Sequence, residues 1–331
     1  MAVSIEDIKK LRAMTGAGLA DVKKALTEAE GDFDKAKELL RERGLAIAAK
    51  RSDRETSNGC VLVKKVNDFA AIIALKCETD FVANGADFIK LTSDILDAAI
   101  AAKCHTLDEV KALALGASDV QAAVTQRSGI TGEKMELDGY CVLEGDNIEV
   151  YDHMNKHTLC TMVQLNENNA EAGHKVAMQV AAMRPVALDE SSVSEETKKT
   201  ELEVAVAKTK EELVEKAVNA ALKKAGINPA HVDSEEHIES NTKKGWLTPE
   251  QAEEARNIKK TVGEEKAATL NPTMIQNIAN GRLAKFFKEN CLVDQEFQFG
   301  DGDKQTVAQY LASQSKDLKI VAYQRFTLAA E

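Results

Sequence analysis

The residues best placed to act on another molecule stand in one short stretch, Cys77-Glu78-Thr79-Asp80-Phe81-Val82-Ala83-Asn84-Gly85. The run before it, Phe69 to Leu75, is apolar throughout and reads as a buried strand. The chain turns polar at Glu78-Thr79-Asp80, as a chain leaving a core does, and then presents Phe81 and Val82. A phenylalanine in such a turn has two uses. It can fold back on its own core, helped by Val82 and Phe88. It can also be buried in a partner, where a phenylalanine contributes about 1.5–3 kcal/mol.

Other reactive groups are weaker candidates. His153 and His157 lie four apart, a spacing that suits a metal on a helix, but they follow a strand and no third ligand is evident. Six cysteines, Cys60, Cys77, Cys104, Cys141, Cys160 and Cys291, form no C-x-x-C pair and read as reduced core thiols. The chain has no P-loop and no G-x-S-x-G elbow, and Gly16-Ala17-Gly18 has no strand before it. Carboxylate pairs are inevitable among 54 Asp and Glu, but none sits in an apolar setting that would tune its pKa. These readings predict no enzyme, no metal and no cofactor, and leave a binding protein.

Composition narrows the partners. At 331 residues, 44% hydrophobic and 29% charged, the chain has material for two or three soluble domains. Aromatics at 4% favour helical packing over a large β-sandwich. A net charge of −11 argues against binding to a phosphate backbone, so no direct nucleic acid partner is expected. The opening residues show no basic, then apolar, leader, and no run of apolar residues is long enough to span a membrane. The expectation is a cytoplasmic protein without a membrane partner.

The elements that must hold the turn follow from periodicity. Residues 1–45 read as three short helices: Ile5, Ile8 and Leu11 on the first, Leu19, Val22 and Leu26 on the second, and Phe33, Ala36, Leu39 and Leu40 on a third closed by Gly44. Residues 46–58 lose the apolar period and gain charge, as a linker does. Residues 59–138 read as strand, strand, polar turn and helix. Residues 139–189 repeat that order, from Gly139–Leu143 through Leu159–Leu165 to a helix with Val176 and Val180. Residues 190–270 read as a helical hairpin, its first helix striped by Leu202, Val206, Leu213, Ala217 and Ala221 and its second opened by the Thr248-Pro249-Glu250-Gln251 capping box. Residues 271–331 complete the second half with helices and a last strand, Ile320 to Phe326.

On these motifs the chain resembles the bacterial elongation factor Ts family. The resemblance is carried by Thr79-Asp80-Phe81-Val82 after Cys-Glu, and by Leu11-Arg12-Ala13-Met14-Thr15-Gly16-Ala17-Gly18 with Asp21-Val22-Lys23-Lys24 behind it. Ala177-Met178-Gln179-Val180, Gly281-Arg282-Leu283 and Tyr323-Gln324-Arg325-Phe326 extend it along nearly the whole chain. The resemblance implies an α+β fold. It has an N-terminal three-helix UBA-like (ubiquitin-associated-like) module, a core of two pseudo-symmetric α+β halves, and a helical hairpin inserted in the second half. It implies a guanine nucleotide exchange factor for the GTPase elongation factor Tu. Thr79, Asp80, Phe81 and Val82 would form the exchange turn, with Asp80 and Phe81 entering near the magnesium and phosphate site. Arg12 and Leu19 of the module, and Tyr151 and His153 of the second half, would touch the same GTPase. Asp80 would act either by shaping the turn through its side chain or by perturbing the magnesium environment through its charge. The 190–270 segment is longer than that family's usual hairpin. A different reading makes the chain an assembly or adaptor protein without exchange activity, a homodimer joined through the Leu202–Ala221 stripe.

Overall fold

A computed structural model describes residues 3–15, 17–51, 53–300 and 304–329. Gly16 of the N-terminal motif and Ser52 of the linker lie outside the described residues. The chain forms two compact units, one of residues 1–188 and 295–331, the other of residues 189–294.

The first unit opens with α1 (Ile5–Thr15), α2 (Leu19–Glu28) and α3 (Phe33–Ala49). Ile8, Leu11, Val22, Ala25, Leu26 and Ala36 close on one another as a small core. Then β1 (Asn58–Val66) and β2 (Phe69–Cys77) form an antiparallel hairpin. The turn residues make a single-turn helix, α4 (Asp80–Ala83), followed by α5 (Ala86–Ala101) and α6 (Leu107–Ala112). A two-residue ladder, β3 (Ala114–Leu115) with β4 (Ser118–Asp119), leads into α7 (Val120–Thr131). Strand β5 (Met135–Glu144) returns to pair with β2, giving a sheet ordered β1-β2-β5. The second sheet, β6-β7-β8, is built from β6 (Ile148–Asp152), β7 (Leu159–Leu165) and β8 (Ile320–Thr327), with α8 (Ala170–Met183) after β7. Both sheets therefore share one plan: a hairpin, a polar turn, a helix, and a third strand that joins the second after an excursion.

That plan moves one expected boundary. Gly139–Leu143 reads from sequence as the first strand of the second half, but it lies in β5, where Ile73 pairs with Tyr140. Its counterpart in the second half is β8. Alternation along a strand says which residues are inward and nothing about the neighbour that completes its hydrogen bonds.

Strand β2 is covered on both faces, which is why it is apolar without alternation. Phe69, Ala71, Ile73 and Leu75 face Phe88, Ile95 and Ala99 of α5. Ala70, Ile72 and Ala74 face Ile148, Cys160 and Met162 of the second sheet. Helix α8 covers that sheet's other face, where the Thr161 hydroxyl donates to the Ala177 carbonyl at 2.9 Å. Cys60 and Cys77 belong to this interior, and burial pushes both thiols up to about 12, so they act as packing groups.

Helix α3 does not end at Gly44, because that glycine is a crossing point. It meets Gly129 of α7, and a Cβ at Gly129 would stand 2.3 Å from the Gly44 Cα. The close approach requires glycine at 129, whereas a Cβ at Gly44 would stand 3.6 Å from the Gly129 Cα, an ordinary contact. Gly129→Ala must push the helices apart, and over-packing of this kind costs about 1–3 kcal/mol. The expected outcome is a lower unfolding midpoint and faster proteolysis of the 50–57 segment; an unchanged midpoint would show that the crossing can relax.

The second unit contains α9 (Glu195–Lys224), α10 (Glu235–Lys243), α11 (Pro249–Ala268) and α12 (Pro272–Asn290). Ser194 caps α9, and Thr248 with Gln251 forms the capping box of α11. Both α11 and α12 pack along α9. The sequence reading closes this segment at 270, whereas the compact unit includes α12 and runs to Asp294. Pro272 marks a helix start but not the surface on which that helix packs. On α9 the fully buried positions are Ala205, Thr209, Val218 and Leu222, while the stripe of Leu202, Val206, Leu213, Ala217 and Ala221 is half-buried. After this unit α13 (Val307–Gln314) packs on α8 before the chain enters β8.

Candidate partner-binding site

The stretch from Cys77 to Gly85 is a strand end, a cap and one turn of helix. Thr79 is the N-cap of α4, its hydroxyl accepting from the Val82 N–H at 3.3 Å. Ala83 is buried and Val82 half-buried against the α5 core. The Asp80 carbonyl accepts from the Asn84 N–H at 3.0 Å and from Asn84 Nδ2 at 2.8 Å. Between these anchors Phe81 points outward and is 87% exposed, the most exposed large apolar side chain among the described residues. The ring does not fold back on the core; Val82 and Phe88 occupy that role without it. The Asp80 carboxylate takes no hydrogen bond or ion pair among the described residues, so the turn is shaped by Thr79 and Asn84 instead.

A clamp from another part of the unit holds the start of this turn. After α7 the chain reverses at Gly132, whose φ of 76° suits glycine. Glu133 then reaches back. Its carboxylate accepts from Glu78 N–H at 3.2 Å, Thr79 N–H at 3.0 Å and Thr79 Oγ1 at 2.6 Å. In return the Glu78 carboxylate accepts from the Lys134 N–H at 2.6 Å, and Arg54 of the linker donates to it at 3.0 Å. Asn58 Nδ2 holds the Glu78 carbonyl at 2.9 Å.

The clamp is pH-dependent. The Lys134 N–H does most to hold the Glu78 carboxyl below its usual 4.5; burial opposes it, and the Arg54 guanidinium adds to the lowering. A folded value below the unfolded one means the stabilisation is complete above pH 4.5 and is lost as pH falls through the folded value. Native protein is expected to exceed Glu78→Gln in stability by a constant margin near neutrality, with the two denaturation curves converging in acid. A margin that persists in acid would exclude this carboxylate as the cause.

The other expected contacts lie elsewhere. Arg12 lies in the last turn of α1 and Leu19 begins α2; both are exposed, Leu19 at 58%, and Met14 between them is exposed as well. Tyr151 is the next-to-last residue of β6, and its hydroxyl meets His153 Nδ1 at 3.2 Å, while its ring packs edge-on against His174 of α8 at 5.4 Å. His157 is bound instead to Asp152, so the two histidines have different partners, and no group of three metal-ligating side chains occurs among the described residues. Asp80 shares a cleft of about 300 Å³ with Asn58, Asn84, Lys156 and His157, which brings the Asp80 turn and the loop after His153 to one surface. That loop carries Met154, Asn155 and His157 at positive φ, and Met154 is 64% exposed. Sequence reasoning missed Met14, Met154 and the Glu133 clamp. Met14 lies in the last turn of α1 and Met154 is a single apolar residue in a polar loop, and Glu133 sits in no pattern at all.

Among the described residues no helix is long and apolar enough to cross a membrane. The family model described as elongation factor TS matches residues 78–330. Elongation factor Ts of Bacteroides fragilis is 62% identical over 332 residues, covering 100% of both chains. Elongation factor Ts of Parabacteroides distasonis is 60% identical and that of Porphyromonas gingivalis 38% identical, again over 100% of both chains.

Proposed function

The chain belongs to the elongation factor Ts family of translation elongation factors, and on that premise we propose that it is a guanine nucleotide exchange factor promoting GDP release from elongation factor Tu. It acts by inserting the Asp80–Phe81 turn near the magnesium and phosphate site of the GTPase, without covalent chemistry and therefore not as an enzyme. The observation that carries this reading is an 87% exposed phenylalanine on a turn whose backbone is tied down on both sides.

Burying that ring contributes about 1.5–3 kcal/mol, and about 1.4 kcal/mol is a tenfold change in an equilibrium constant. One side chain thus supplies roughly one to two decades of coupling. The contact must be better in the nucleotide-free GTPase than in the GDP-bound one, since equal affinity for both states shifts nothing. Reciprocity then requires GDP to weaken binding of the exchange factor by the same factor. Asp80 supplies charge: its carboxylate has no use inside the turn, which favours an electrostatic effect on the partner's magnesium over a role in shaping the backbone. Arg12 and Leu19, with Met14, and Tyr151 with His153 serve as further contacts on the same GTPase.

The test is release of a fluorescent GDP analogue from purified elongation factor Tu. With excess unlabelled GDP present to rebind the GTPase and displace the exchange factor, substoichiometric native protein is expected to discharge all of the GTPase, each molecule acting repeatedly. Release at the unassisted rate would overturn the reading. The assembly alternative draws on one observation, an open apolar cleft of about 760 Å³ in the second unit lined by Val206, Val214, Leu270 and Ile275. It would make the chain a homodimer, and light scattering that gives a monomer would remove it.

A further inference from the structure

We propose that Glu133 is a positioning residue for nucleotide exchange: its carboxylate presets the backbone that aims Phe81 at the GTPase. This rests on the exchange reading above. Phe81 is so exposed that its own packing cannot orient it. Helix α4 has four residues, too few for helical cooperativity to hold its shape. Orientation must come from the ends of the turn. At the far end Ala83 is buried and Asn84 ties the Asp80 carbonyl. At the near end three hydrogen bonds converge on Glu133, and one of them continues. Thr79 Oγ1 donates to Glu133 and accepts from the Val82 N–H, so the relay from Glu133 through Thr79 to Val82 spans Asp80 and Phe81.

A purely structural role for Glu133 would be to join β2 to β5. That junction is made without it. The ladder pairs Cys77 with Met135, and the Glu78 carboxylate already receives the Lys134 N–H. What Glu133 adds is the fixing of Glu78 N–H, Thr79 N–H and the Thr79 hydroxyl. A turn left free would have to be ordered when it enters the partner, and that ordering lowers the surplus available for exchange. Charge-assisted bonds of this kind are stronger than neutral ones, and a loss worth one decade corresponds to about 1.4 kcal/mol.

The experiment is a double-mutant cycle on the maximal rate of GDP-analogue release from elongation factor Tu at saturating full-length protein. Glu133→Ala is expected to lower that rate about ten-fold with the half-saturating concentration less affected. Glu133→Gln should restore most of it, because its carbonyl still accepts both N–H groups and its amide can donate to Thr79. In a Phe81→Ala background Glu133→Ala should change nothing further, since the ring it aims is gone. If Phe81→Ala slows release and Glu133→Ala slows both backgrounds equally, or slows neither, Glu133 does not act through the ring and the positioning role falls. If Phe81→Ala itself is silent, the exchange mechanism falls instead. Should Glu133→Ala fail to fold, Thr79→Val, which removes the relay hydroxyl and keeps the shape, carries the same cycle with the same outcomes.

Discussion

Phe81→Ala is expected to slow GDP release from elongation factor Tu by about ten- to a hundred-fold at saturating protein while leaving thermal unfolding unchanged. The two halves of this result come from one number. A side chain 87% exposed contributes almost nothing to its own fold, so removing it opens no cavity and strands no polar group. Its apolar surface is available only to a partner. Stopped-flow release and a melting curve on the same preparation check both halves. A fall in melting temperature of several degrees with exchange intact would mean that the ring supports its own chain and not the GTPase.

Phe88→Ala is expected to do the reverse. Seven positions along, the same residue type is 0% exposed between β2 and α5, in contact with the cluster of Phe69, Ile73, Leu75 and Ile95. Truncating a fully buried phenylalanine costs about 3–5 kcal/mol, from lost transfer energy and from the cavity left behind. Denaturant titration should show a lower midpoint with little change in slope, because the surface exposed on unfolding is nearly the same. A midpoint within experimental error of the native one would mean that α5 can collapse onto the vacated volume. Together the two substitutions separate folding from function on two successive helices, α4 and α5.

The contrast between these phenylalanines also shows what was legible in the sequence. Both follow the apolar run Phe69–Leu75. Phe88 could be assigned inward, since Leu91, Ile95, Leu96 and Ala99 repeat with it at helical spacing. Phe81 has no such companions, and its outward course depends on Val82 and Ala83 taking the inner positions of a helix only four residues long. The capping box at Thr248 stood out because capping chemistry is local. Elements fixed by distant partners did not. Gly44 looks like a helix end until Gly129 is seen against it. Residues 139–143 look like the start of a repeat until β2 claims them. Helix α12 looks like returning core until α9 is found beneath it. Glu133 was invisible for the same reason: its partners are more than fifty residues away and its neighbours Gly132 and Lys134 form no motif.

The central claim is that Phe81 is buried better in the nucleotide-free GTPase than in the GDP-bound one. The most direct test is the dissociation constant of elongation factor Tu for the native protein and for Phe81→Ala, each measured without nucleotide and with saturating GDP. For the native protein GDP should weaken binding strongly. Phe81→Ala should weaken binding to the nucleotide-free GTPase by about one to two decades and leave binding to the GDP form nearly unchanged, so that the coupling between the two ligands shrinks by that factor. Equal losses in both states would contradict the claim, because a ring that holds both forms equally can anchor the complex but cannot drive GDP out of it.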